Sequence, residues 1–114
     1  MTLSTKDDTL PLEVRSSVAV FGSRIRIARL RRKMEQEELA RACGVTRRTI
    51  WRIETGEPGV AFGTILAVLW KLGLLDSAKG IADPDRDEHG KILEAARLPQ
   101  RARQSGPGSL DNNF

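Results

Sequence analysis

The chain has 114 residues, 39% of them apolar, and a formal net charge of +4, which is enough for one domain of ordinary size with a small core. It holds no run of 18 apolar residues, which excludes a membrane-spanning helix, and its first residues, MTLSTKDDTLPLEV, lack the basic and apolar regions of a signal peptide, so a cytoplasmic location is expected. A single cysteine, Cys43, and a single histidine, His89, exclude an internal disulfide and a Cys/His metal cluster, and no cofactor or metal is expected.

The net charge conceals a division. Residues 15–52 carry 11 Lys/Arg against 3 Asp/Glu, whereas residues 53–96 carry 4 against 8. A basic half beside an acidic half suggests one face for a polyanion and another for something else, or an acidic surface that serves only to keep helices soluble.

Residues 1–15 are polar with a Thr-Leu-Pro-Leu step and read as a flexible arm. A first helix is expected from Ser16 or Ser17, with Val18, Phe21, Ile25 and Ala28 forming its apolar stripe. Gly22 weakens that helix slightly. Arg29 continues the buried stripe, four residues after Ile25, where an unpaired charge would be costly. Glu54 is the expected partner, so an Arg29–Glu54 ion pair should tie the first helix to the third.

Gln36 to Cys43 reads as a second helix with Leu39, Ala40 and Cys43 on one face. Cys43 is expected to pack as a small buried hydrophobe. Gly44 breaks this helix, Val45 sits in the turn, and Thr46 is placed to cap a third helix that buries Ile50 and Ile53. Arg47, Arg48 and Arg52 remain on or near the opposite face. A short helix so rich in arginine suits the major groove of DNA, since arginine reads guanine O6 and N7 with two bonds. Gln36 begins the second helix, where its amide can reach a phosphate beside free backbone N–H groups.

Thr-Gly-Glu-Pro-Gly after Glu54 is a strong turn signal, with Gly56 ending the helix in a left-handed conformation. A fourth helix is expected over Ala61 to Leu72, with Phe62, Ile65, Val68, Leu69 and Leu72 in the core. It is apolar around most of its circumference. Leu66, Trp70 and Leu74 form a stripe at spacings of four, which serves either as ordinary core or as the seam of a homodimer. A short fifth helix carries Leu74, Leu75, Ala78 and Ile81. Asp83-Pro84-Asp85 opens a last, acidic helix to about Arg97 that Pro99 ends, and a disordered tail should follow over residues 99–114. No strand pattern, internal repeat, phosphate loop or catalytic constellation is visible, so an enzyme is not expected.

From Ile25 to Leu74 the chain resembles the Xre-type, phage-repressor-like helix-turn-helix family. The resemblance is carried by Arg29, Gln36-Glu37-Glu38-Leu39-Ala40, Gly44-Val45-Thr46, Ile50, Arg52-Ile53-Glu54, Gly56, Thr64 and Leu72-Gly73. It implies an all-α fold: a five-helix DNA-binding domain over residues 16–82, then a short acidic helix over 83–98 and the tail. By the same resemblance Arg47, Arg48 and Arg52 would face base edges, Gln36, Thr46 and Thr49 would hold phosphates, and Arg29 and Glu54 would form the interhelical ion pair. Trp51 stands where many members have a small or polar residue. Within the family, the LAVLWKLGLLD segment, the DPDRDE helix start and the ARLPQRAR tail resemble HipB-like antitoxins. That implies a repressor of its own operon, acting as a homodimer and paired with a HipA-type kinase toxin. Better-known HipB proteins continue into a dimerising strand, whereas LLDSAKGIADP reads as helix. About 40 residues follow Leu74, few for a ligand-sensing domain, which favours the antitoxin over a standalone Xre-family regulator. The expected operator is double-stranded DNA with G/C-containing half-sites in an inverted repeat, roughly 34–36 Å apart.

Overall fold

The computed structural model describes residues 9–105, and every regular element among them is helical. In order these are α1 (Leu12–Arg31), α2 (Gln36–Cys43), α3 (Arg47–Glu54), α4 (Phe62–Lys71), α5 (Leu75–Ala78), a 3-10 turn at Pro84–Arg86 and α6 (Glu88–Ser105). The fold is thus all-α. The chain divides into two compact units that part between Lys79 and Gly80.

The first unit is built around nine buried apolar residues. They are Ile25 and Ala28 of α1, Leu39 and Ala40 of α2, Ile50 and Ile53 of α3, Val68 and Leu69 of α4, and Leu72 just beyond it. In α1 and α3 the buried pair is three residues apart, so both lie on one helical face, whereas α2 and α4 bury adjacent residues on the side turned to the core. Phe21, Cys43, Val45, Ile65, Leu66 and Leu74 pack around this centre partly buried.

Four successive helices close in one way. A residue one or two places beyond the helix turns left-handed, and the next N–H reaches back five residues, a Schellman closure that satisfies orphan carbonyls. In α2, α3 and α4 the turning residue is glycine, at Gly44, Gly56 and Gly73. After α1 it is Lys33, with φ 57°, and Met34 N–H donates to Arg29 O at 3.2 Å.

Several expectations from sequence need correction. α1 begins at Leu12 rather than at Ser16 or Ser17, because Pro11 starts the turn and its carbonyl accepts from the N–H groups of Val14 and Arg15. Phe62 is not core: at the first position of α4 it is 60% exposed. Ile81 lies in a turn beyond α5 and is also exposed. Asp83-Pro84-Asp85 does not open the last helix but forms a separate 3-10 turn, in which the Asp83 carboxylate accepts from Asp85 N–H at 3.0 Å. Pro99 does not end α6, which runs on to Ser105. A proline removes one backbone bond and bends a helix, but need not stop it. Residues 1–8 and 106–114, where an arm and a disordered tail are expected, lie outside the described residues.

Candidate nucleic-acid interface

α2 and α3 are two short helices joined by the turn Gly44-Val45-Thr46 and packed against each other. Val45 N–H donates to Ala40 O at 3.0 Å, and Val45 itself tucks toward the core. Thr46 is extended (φ −86°, ψ 159°) and its hydroxyl accepts from Thr49 N–H at 3.3 Å, which caps α3. The Thr46 and Thr49 hydroxyls also meet at 3.2 Å.

Ile50 and Ile53 fix which way α3 faces. With that side buried, Arg48 and Arg52 fall one turn apart on the opposite, outward side. Arg48 is exposed, and its guanidinium lies 5.6 Å from the centre of the Trp51 ring, within cation–π range. Arg52 is a third exposed, and its Nε donates to Glu57 Oε1 at 2.8 Å. Arg47 is exposed at the side facing α2, where its Nη1 donates to Gln36 Oε1 at 2.9 Å.

The angle of α3 is set by α1. Arg29 and Glu54 meet with two bonds, Nε to Oε2 at 2.7 Å and Nη2 to Oε1 at 3.0 Å, and both side chains are almost wholly buried. Arg29 Nη1 also donates to Met34 O at 2.7 Å, and Gln36 Nε2 donates to Glu54 Oε1 at 3.0 Å. The hydrogen bonds that Arg29 donates to Glu54 raise the guanidinium pKa above its ordinary value, against the opposing effect of burial. A buried charge without such partners would be untenable. The pair is therefore one corner of a network that joins α1, α2 and α3.

Gly22 adds a second constraint on that angle. A Cβ placed there would run into the carbonyl oxygen of Ile53 and lie 3.1 Å from that of Glu54. The backbone of α1 therefore touches the last turn of α3 directly. From sequence Gly22 reads only as a weak point, although it lies on the buried stripe three before Ile25, and that position was the available signal.

Gln36 stands at the N-terminus of α2, but its amide is already bonded to Glu54 and, at the surface, to Arg47. Arg26 of α1 shares a shallow cleft with Arg47 and Trp51, a cation that inspection of α3 alone does not reveal. Leu66 and Leu74 pack against the unit's own core, so of the expected dimer seam only Trp70, 62% exposed, faces outward. Cys43 is partly buried, with Sγ 3.9 Å from Ala67 O, and burial raises its thiol pKa despite the opposing charge of Lys71.

A capped, arginine-faced helix held against two others at a fixed angle, joined to the preceding helix by a three-residue turn, defines an Xre-like helix-turn-helix unit, the DNA-binding part of a regulator. Residues 20–78, more than half of the chain, match the helix-turn-helix domain family. The protein belongs to that family. Neither curated proteins nor solved structures gave a significant match. Among the described residues, no helix is long and apolar enough to cross a membrane.

Proposed function

We propose that the protein is a sequence-specific transcriptional repressor whose α3 enters the major groove of double-stranded DNA. The observation that carries this reading is the outward face of α3, where Arg48 and Arg52 stand one turn apart while Ile50 and Ile53 lock the other face into the core. Arg48 and Arg52 read base edges, joined by Arg47 once DNA draws it from Gln36. Thr46, Thr49 and Gln36 hold the phosphates that flank the entry of α3. The groove and the phosphates supply the polyanion to which the basic half of the chain is suited.

The protein acts as a homodimer on an inverted repeat. Trp70 and Phe62, both mostly exposed on α4, support an apolar association surface there, while Leu66 and Leu74 of the same stripe pack partly buried against the core. It serves as the antitoxin of a HipA-type kinase toxin and represses its own operon in the cytoplasm. Support for a protein partner comes from α6 of the second unit, where Ile92 and Leu93 are exposed side by side. A standalone Xre-family regulator would share the DNA site and lack the toxin.

Selection of bound duplexes from a random library, followed by titration of the selected operator, tests the DNA reading. Arg48→Ala is expected to lose about 1–3 kcal/mol of discrimination at one base pair per half-site. Equal weakening on every sequence would place Arg48 on phosphate instead. Co-expression with the neighbouring gene of the operon separates the two regulatory readings: a kinase-like protein that co-purifies supports the antitoxin, and its absence supports the standalone regulator.

A further inference from the structure

The turn after α3 brings two charged side chains together on the outward side of the reading helix. Gly56, with φ 85°, lets the chain reverse. Gly56 N–H then donates to Ile53 O at 3.1 Å and Glu57 N–H to Arg52 O at 3.0 Å. These two bonds return Glu57 to the level of the residue five before it. In this kind of closure the two residues so aligned usually make an apolar contact. Here they make an ion pair, Arg52 Nε to Glu57 Oε1 at 2.8 Å.

The turn cannot drift. A Cβ at Gly56 would lie 3.0 Å from the Cα of Ala19, so the reversal is seated on α1, the helix that also fixes α3. The main chain of Glu57 is therefore fixed beside Arg52, and its carboxylate is held there by the bond from Arg52 Nε. The two side chains are 33% and 39% exposed. A pair that open to water adds little to stability, and a carboxylate beside a DNA-reading helix repels phosphate. Stability and bare affinity both leave the pair unexplained, whereas orientation explains it.

A guanidinium offers its Nε edge and its Nη groups to different partners. Glu57 occupies the Nε side. Among the described residues the two Nη groups of Arg52 have no protein acceptor, and together they match the paired O6 and N7 acceptors of guanine. We propose that Glu57 is a positioning residue for Arg52: it holds the guanidinium so that its Nη edge meets a guanine, and so determines specificity at one base pair of each half-site. This rests on α3 lying in the major groove. Glu57 itself touches no base.

The full-length chain and its Arg52→Ala, Glu57→Ala, Glu57→Gln and Arg52→Ala/Glu57→Ala variants would be profiled on the same random duplex library, with thermal melting and binding to an unrelated duplex measured alongside. The native chain should prefer guanine at a position where Arg52→Ala shows no preference. Glu57→Ala should flatten that position alone by roughly three- to tenfold, within the range a bidentate arginine contact provides, while binding to the unrelated duplex stays equal or tightens. Glu57→Gln, which keeps an oxygen acceptor for Nε, should fall between native and Glu57→Ala. In the Arg52→Ala background the Glu57 substitution should change no base preference. The proposal is overturned by a native base profile for both Glu57 variants, by equal loss at every position, or by a Glu57 effect that persists without Arg52. If the native chain shows no base preference at all, the placement of α3 in the groove is what fails.

Discussion

Between α2 and α4 the packing is a matter of side-chain volume: Leu39, Ala40 and Cys43 on one helix face Val68 and Leu69 on the other. Between α1 and α3 the packing is a matter of position. Gly22 brings backbone against backbone, and a buried guanidinium and carboxylate fix the register with two bonds. Apolar volume is non-directional and tolerates small adjustment. A bidentate ion pair and a bare glycine contact do not, because each is satisfied at one geometry only. The α2–α4 side of the unit thus supplies volume, whereas α3 is indexed against α1. That division suits the role proposed for α3, whose arginines would have to reach base edges at defined places.

The largest effect that can break this comparison is expected at Glu54. Glu54→Ala strands Arg29 as a buried charge and leaves Gln36 without its acceptor, and should cost about 3–5 kcal/mol in chemical denaturation. Arg29→Met combined with Glu54→Leu should recover most of that stability, since well-packed apolar residues can replace a buried pair without loss. If the pair indexes α3, the double variant melts normally and still reads its operator with reduced discrimination. An unchanged base profile would reduce the pair to a structural filler.

Leu39→Ala tests the α2–α4 side and should cost about 2–5 kcal/mol through lost burial and a residual cavity. Its base preferences should be those of the native chain, at a temperature where the variant remains folded. A changed profile would mean that α2 and α4 also index the reader. Gly22→Ala should cost about 1–3 kcal/mol as an overpacked contact, because the added methyl meets backbone that cannot swing aside. It should still weaken operator binding more than Leu39→Ala does, because a single methyl pushes on the Ile53 carbonyl and tilts α3. A stability loss without loss of operator binding would show that α1 merely covers α3.

Much of the first unit is legible in one dimension. Helical periodicity marks the faces of α1 to α4, and Gly44, Gly56 and Gly73 mark their ends, because helix spacing and left-handed closure are local properties. The Arg29–Glu54 pair is legible too, for a chemical reason: an arginine on an apolar stripe demands a carboxylate. The candidate interface reads less evenly. Thr46 as cap and the outward Arg48 follow from local spacing, whereas Gln36 already bonded to Glu54 and Arg47 does not.

What the sequence by itself determined is the set of helices, the turn between α2 and α3, and the residue types available to meet DNA. Only the tertiary structure decided that Gly22 is a contact with Ile53, that Leu66 and Leu74 pack partly buried against the core while Trp70 does not, and that Arg52 is paired with Glu57. The reason is range. A helical face repeats every three or four residues and can be counted, but the closeness of residues 22 and 53 depends on the angle at which two helices cross. That angle is fixed by the whole core at once, so no single stretch of sequence contains it.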